Sequence, residues 1–263
     1  MKLEESRVLL TGASGGIGQA LAASLAAGGA RLLLAGRQEE AMQAIAAGHP
    51  GRVSVVSADL CQRDGRDAVI AAAGSFGGIN CVVNAAGVSR FGLVERQDDD
   101  AVSALIQLNV TSTMQLTRGM LPLLREAPKA LLVNVGSIFG SIGYPGFAAY
   151  CASKFAMRGF SEALRRELAD TRIKVLYVAP RATRTPMNPG AVVEMNRRLN
   201  VAMDDRGAVA DRIVDAIRRE REELYIGWPE KLFVRLNGLL PRVVDQALRR
   251  QLPVVQRFAR NDP

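Results

Sequence analysis

The run Val8-Leu9-Leu10-Thr11-Gly12-Ala13-Ser14-Gly15-Gly16-Ile17-Gly18 decides the architecture of this chain. Val8–Thr11 is short and almost wholly apolar, the pattern of a strand covered on both faces. It leads straight into a glycine-rich turn and then into Gly18–Ala27, whose alanine and leucine content reads as a helix. Glycine lets the backbone turn sharply and approach another group closely. The first turn of the following helix carries free N–H groups and a partial positive charge, which suits a pyrophosphate. A lone glycine-rich turn is weak evidence, but between a first strand and a first helix it is far more specific.

Working outward, Arg31–Ala35, Val53–Ser57, Cys81–Asn84, Leu131–Val135, Val175–Ala179 and Leu224–Gly227 read as further strands. Helical stretches such as Asp98–Arg125 and Ala152–Asp170 lie between them. This alternation implies right-handed crossovers and an α/β, doubly wound parallel sheet with helices on both faces. No repeat or low-complexity linker interrupts it, so residues 1–228 are expected to form one Rossmann-like catalytic domain. Residues 229–263 are expected to form a helical extension rather than an independent domain. Pro180–Asp205 departs from the alternation, and so long a connection usually carries function or moves.

Composition narrows the function classes. At 263 residues, 48% hydrophobic and 23% charged, the chain is an ordinary globular one. The net charge of +8 could attract nucleic acid, anionic lipid, acidic proteins or phosphorylated cofactors. No aromatic-interleaved basic stripe or zinc-finger spacing accompanies it, so no nucleic-acid partner is expected. Cys61, Cys81 and Cys151 are odd in number and widely spaced, which fits a reducing compartment rather than a disulfide framework or metal motif. Met1–Ser6 is polar and of mixed charge, unlike a signal peptide, and no apolar run approaches the roughly 20 residues of a membrane span. The expected location is the cytoplasm.

Gly12, Ser14, Gly16, Ile17 and Gly18 are the expected pyrophosphate cradle. About 20 residues on, where an adenosine ribose would sit, the second strand ends at Gly36-Arg37. An acid there would bind a free ribose hydroxyl. Arg37 can instead grip a 2′-phosphate bidentately, with Ser14 adding a hydroxyl, so NADP(H) is expected over NAD. Asp59 and Leu60 follow the third strand, where a carboxylate can accept from an adenine amino group, although Asp is also a common turn former. Asn84-Ala85-Ala86-Gly87 ends the fourth strand with small residues that leave room for a cofactor. Asn84 could equally brace neighbouring backbone.

The chemical signal is Ser137 with Tyr150 and Lys154. Ser137 follows the fifth strand, and the i to i+4 spacing puts Tyr150 and Lys154 on one helix face. A free phenol has a pKa near about 10, and an adjacent ammonium is expected to lower it toward the operating range. Ser137 can then hold a substrate oxygen while Tyr150 exchanges its proton, and Lys154 can also reach a nicotinamide ribose.

Together these residues resemble the short-chain dehydrogenase/reductase family, in its common subgroup of about 250 residues. The matching elements are the Thr11–Gly18 loop, Asn84–Gly87, Asn109, Ser137 and the Tyr150–Lys154 motif, in family order across roughly residues 6–228. The resemblance implies a seven-stranded sheet, an oxidoreductase that with Arg37 is expected to be NADP-dependent, and homodimers or homotetramers built through the long helices of Asn109 and Tyr150. It also implies that Asn109 completes a catalytic tetrad by distorting its helix and holding a water. Pro180, Thr183 and Thr185 align with the segment that cradles the carboxamide, but Arg181 stands where the family has glycine, which would be strained if that position used positive φ. Gly136 likewise stands where a second serine is frequent.

Several other features carry less. His49, the single histidine, sits in a Gly-His-Pro turn and leaves no hydrolase triad. Asp98-Asp99-Asp100 reads as helix-dipole complementation rather than a metal site, and no metal is expected. Cys151 reads as a small packing residue, and Arg218–Glu223 as a solvated helix end. Beyond Pro229, Leu232, Phe233, Leu236, Leu239, Leu240, Val243, Val244 and Leu248 recur at helical spacing, broken near Pro241. Seven basic against three acidic residues give that tail a local +4. It reads as amphipathic helices packed over the substrate cleft or a neighbouring subunit, with peripheral contact to an anionic membrane as the sharper alternative. Gly140–Phe147 and Met187–Met203 are the expected lid, rich enough in Met, Ile, Phe and Tyr to suggest an apolar carbonyl or alcohol substrate. A 3-oxoacyl-carrier-protein reductase-like enzyme and a non-catalytic NADP-binding regulator are the rival readings.

Overall fold

A computed structural model describes residues 1–260. Seven strands form one parallel sheet in the order β3-β2-β1-β4-β5-β6-β7. They are β1 Arg7–Thr11, β2 Arg31–Gly36, β3 Val53–Ser57, β4 Cys81–Asn84, β5 Ala130–Val135, β6 Ile173–Ala179 and β7 Glu223–Tyr225. The alternation of strand and helix read from the sequence holds throughout.

The continuous apolar runs have a direct cause. Alternate residues of each strand enter opposite layers, so neither face can be polar. Leu9, Leu33, Val82, Leu132 and Val175 pack against α3 (Arg63–Ser75), α5 (Thr113–Glu126) and α6 (Ala148–Glu167). Val8, Leu10, Leu34, Val83, Val133 and Leu176 pack on the other face, against α1 (Gly16–Ala27), α2 (Glu39–Ala47) and α8 (Arg206–Arg218). Each fully buried aliphatic side chain contributes about 2 kcal/mol. Chain order reverses between β1 and β4, and the crevice at the carboxyl ends of those two strands is where such sheets accept ligands.

Two elements refine the sequence reading. The helix expected over Asp98–Arg125 is divided into α4 (Asp99–Ile106), a π-helical segment Gln107–Ser112, and α5. Its start is capped by Asp98, whose carboxylate accepts from the N–H of Ala101 at 3.1 Å, so the acidic run serves the helix terminus. The irregular Pro180–Asp205 stretch contains the short helix α7 (Gly190–Arg198). The tail forms α9 (Glu230–Leu239) and α10 (Pro241–Ala259), with Pro241 in the first turn of α10.

Candidate active site

Gly12 lies at φ +66°, and a Cβ there would stand 2.7 Å from the backbone of Ala86. The loop after β1 therefore presses on the loop after β4 as only glycine allows. Helix α1 begins after Gly15 with no side-chain cap and no acidic residue in its first turn. Its free N–H groups and dipole are left to an outside anion.

These loops line a cavity of about 670 Å³ walled by Gly12, Ser14, Gly16, Ile17, Gly18, Arg37, Asp59, Leu60, Ala85, Gly87, Tyr150, Lys154 and Thr185, all expected cofactor residues. Arg37 is exposed on its rim and makes no ion pair among the described residues. Asp59 serves also as the turn former, accepting from the N–H of Cys61 at 2.9 Å.

Three expected cofactor residues lie elsewhere. Asn84 is buried with its amide donating to Asn134 Oδ1 at 2.9 Å and to Thr117 Oγ1 at 3.0 Å, so it braces β4 against β5 and α5. Only its neighbours Ala85–Gly87, in the loop beyond the end of β4, face the cavity. Pro180 and Thr183 line a second cavity, of about 440 Å³. The hydroxyl of Thr183 turns inward to donate to the carbonyl of Arg181 at 3.0 Å.

The second cavity is walled by Ser137, Ile138, Phe139, Ile142, Tyr144 and Phe147, by residues of the Met187–Ala202 segment, and by Phe233, Val244, Leu248 and Gln251 of the tail. Both expected lid segments thus reach it, and α9 and α10 close its far side. Phe139, Phe147 and Tyr150 form an aromatic cluster with ring centroids 5.2–6.3 Å apart. Tyr150 lines both cavities, Lys154 only the first and Ser137 only the second.

Asn109 is 2% exposed at the centre of the π-helical segment. Its Oδ1 accepts from the N–H of Val88 at 2.8 Å, and its Nδ2 donates to the carbonyl of Val88 at 2.9 Å and to Ser153 Oγ at 3.0 Å. Such bulges recur at functional sites because they re-aim a side chain without ending the helix. Here one amide joins the loop after β4 to the helix of Tyr150 and Lys154.

The electrostatics differ from the sequence expectation. Burial pushes the Tyr150 phenol up to about 12, opposed by the neighbouring Ser137 hydroxyl, and Lys154 exerts no resolved pull. Lys154 is itself lowered to about 8 by burial. Its ammonium nitrogen stands 5.6 Å from the centre of the Tyr150 ring and donates to the carbonyl of Val135 at 3.3 Å. Desolvation is the largest cause of both shifts, because the polar ends of the two side chains are largely withdrawn from water on the cavity walls.

Arg181 is not strained. Among the described residues the non-glycine positions at positive φ are Asn200 and Glu220. The glycine at 136 also has a cause: a Cβ there would lie 2.3 Å from the ring of Tyr177, whose buried hydroxyl donates to the carbonyl of Ser137 at 3.1 Å. Sequence reasoning missed Tyr177, although a lone tyrosine in an aliphatic strand was the available signal. It missed Cys151 as a polar partner too: the sulfur accepts from the N–H of Tyr144 at 3.3 Å, tying the 140–147 segment to α6.

A parallel sheet with a glycine-lined cavity at its switch point, meeting a second cavity at a tyrosine, defines a nucleotide-dependent oxidoreductase architecture. Residues 6–195 match the short chain dehydrogenase family, and the chain belongs to it. It is 37% identical over 180 residues to "Nodulation protein G" of Rhizobium sp. (strain N33), covering 68% of this chain and 74% of that one. It is 32% identical over 212 residues to the 3-oxoacyl-[acyl-carrier-protein] reductase of Vibrio cholerae, covering 80% and 86%. A short chain dehydrogenase from Burkholderia cenocepacia, solved in complex with NADP, superposes with a TM-score of 0.81 at 25% identity over 94% of this chain and 99% of that one. Among the described residues no helix is long and apolar enough to cross a membrane.

Proposed function

We propose that this oxidoreductase uses NADP(H) to reduce the carbonyl of an apolar small molecule, or to oxidise the corresponding alcohol. The observation that carries this reading is the meeting of two cavities at Tyr150, with Lys154 on one side and Ser137 on the other. The residues of the first cavity fit a dinucleotide: an uncapped helix start for the pyrophosphate, Arg37 and Ser14 for a 2′-phosphate, Asp59 for the adenine. When bound there, NADPH supplies the hydride. Ser137 donates to the substrate oxygen and polarises the carbonyl. Tyr150, held protonated by its buried setting, delivers its proton to the same oxygen. In its charged form Lys154 lowers the cost of the phenolate left behind, and Asn109 keeps the helix and the loop after β4 in register.

The aromatic and aliphatic lining of the second cavity supports an apolar substrate. The Vibrio relative's name suggests an acyl-carrier substrate as the alternative, and residues of α9 and α10 contribute to the lining of the same cavity. Exposed Met114 on α5 and Phe155 on α6 support a homo-oligomer built through those helices. Peripheral membrane contact finds support in exposed Trp228, Leu232, Leu239, Leu240 and Val243, beside exposed Lys231, Arg235 and Arg242. Failure to float with anionic vesicles at low salt would remove that contact.

The test of the main reading is a panel of apolar ketones and aldehydes followed by NADPH absorbance, with Tyr150→Phe as control. General acid catalysis is worth about 10²- to 10⁴-fold, so kcat should fall by that much while NADPH affinity holds. Turnover by Tyr150→Phe at the native rate would overturn the proposal.

A further inference from the structure

Three segments that wall the substrate cavity meet at one side chain. Arg181 follows β6, and its guanidinium is bidentate to Asp204, with Nε to Oδ2 at 3.0 Å and Nη2 to Oδ1 at 2.7 Å. Its remaining nitrogen, Nη1, donates to both carboxylate oxygens of Glu230 at 3.1 and 3.2 Å. Asp204 closes the excursion that begins at Ala182: its N–H donates to the carbonyl of Ala182 at 2.8 Å, and a parallel bridge pairs it with Thr183. That excursion carries α7, whose Val192 and Met195 line the cavity. Glu230 opens α9, the first helix of the tail, and the neighbouring Trp228 and Phe233 line the cavity from that side. The side chains of Arg181, Asp204 and Glu230 are only 17–22% exposed, so solvent screens them weakly.

We propose that Arg181 is a positioning residue that clamps the α7 segment and the tail together over the substrate cavity, setting its volume and hence its affinity for the apolar substrate. The physics is asymmetric. One cation holds two carboxylates at a common point. Without it the joint is not neutral: Asp204 and Glu230 repel each other across the seam between the two walls. Loss of Arg181 therefore drives the walls apart. The assignment rests on the second cavity being the substrate site, but the clamp itself can be read without turnover.

The first measurement is amide hydrogen exchange on the whole chain. Arg181→Met should raise exchange in both Gly190–Arg198 and Glu230–Leu239 and leave β1 and β4 protected. Glu230→Gln, which keeps the Asp204 pair and the fold, should raise it in Glu230–Leu239 alone. Exchange that rises in neither segment in Arg181→Met, or in every element alike, overturns the clamp. The second measurement is steady-state kinetics at saturating NADPH. Arg181→Met should raise KM for the carbonyl about tenfold with kcat within about twofold, because loosened walls weaken substrate binding and leave the reacting groups in place. Glu230→Gln should lose its effect on KM in the Arg181→Met background. An unchanged KM, or a fall in kcat at constant KM, refutes positioning. An inactive wild-type chain would instead count against the proposed reaction and leave the exchange result to decide the clamp.

Discussion

Lys154 is expected to weaken the fold it serves. Its pKa is lowered from 10.5 to about 8 by burial alone, with no carboxylate to offset the cost. At roughly 1.4 kcal/mol per unit, burying the charged form costs about 3 kcal/mol. Below pH 8 the ammonium is charged both folded and unfolded, and the folded chain bears that cost in full. Between pH 8 and 10.5 the folded lysine is neutral while the unfolded one still binds its proton, so stability rises with pH, and above 10.5 the cost is gone. Lys154→Met removes the charge and keeps the packing stem. It also removes the 3.3 Å bond to the carbonyl of Val135, worth about 1 kcal/mol. The net expectation is a variant without activity that is about 2 kcal/mol more stable at pH 7, with the gain shrinking by about 2 kcal/mol by pH 9.5. Urea denaturation of the nucleotide-free protein between pH 7 and 9.5 measures this, in a window that ends before Tyr150 titrates. A variant less stable than the parent at pH 7, or a difference that does not change with pH, would refute the reasoning.

Arg37→Asp exchanges a bidentate cation for an anion at the rim of the nucleotide cavity. The ratio of NADPH to NADH affinity should fall by about 100-fold, and an unchanged ratio on titration removes Arg37 from cofactor choice. Gly136→Ala places a methyl group 2.3 Å from the Tyr177 ring; overpacking should cost about 1–3 kcal/mol in chemical denaturation and lower kcat by moving Ser137, and native stability in this variant would refute the account. Asn109→Leu keeps volume but strips three hydrogen bonds from Val88 and Ser153, and a loss of about 3 kcal/mol in chemical denaturation is expected; a loss under about 1 kcal/mol would mean that the π-helical segment holds itself.

Much of the molecule was legible in one dimension because its signals are local. A strand buried on both faces must be apolar throughout, and a loop pressed against a neighbouring backbone must be glycine. A tyrosine and lysine four apart must share a helix face. From these alone came the parallel sheet, the glycine-rich turn from Gly12 to Gly18 at the cavity wall, and the placing of Tyr150 and Lys154 on one helix face near Ser137. Even the division of the Asp98–Arg125 helix was approached through Asn109, though by resemblance rather than by periodicity, since a π-helical turn inserts no distinctive residue.

Tertiary structure decided what depends on partners distant in the chain. The side Asn84 faces and the space that Tyr177 takes from residue 136 are set by neighbours tens of residues away. So is the balance at Tyr150 and Lys154: the i to i+4 spacing guarantees nearness, but only the surrounding fold determines how far each group is desolvated. Arg181 shows the difference most plainly. In the sequence it is a misfit in a glycine position; in the folded chain it is a cation between Asp204 and Glu230, because charge is long-ranged in space and blind to chain order.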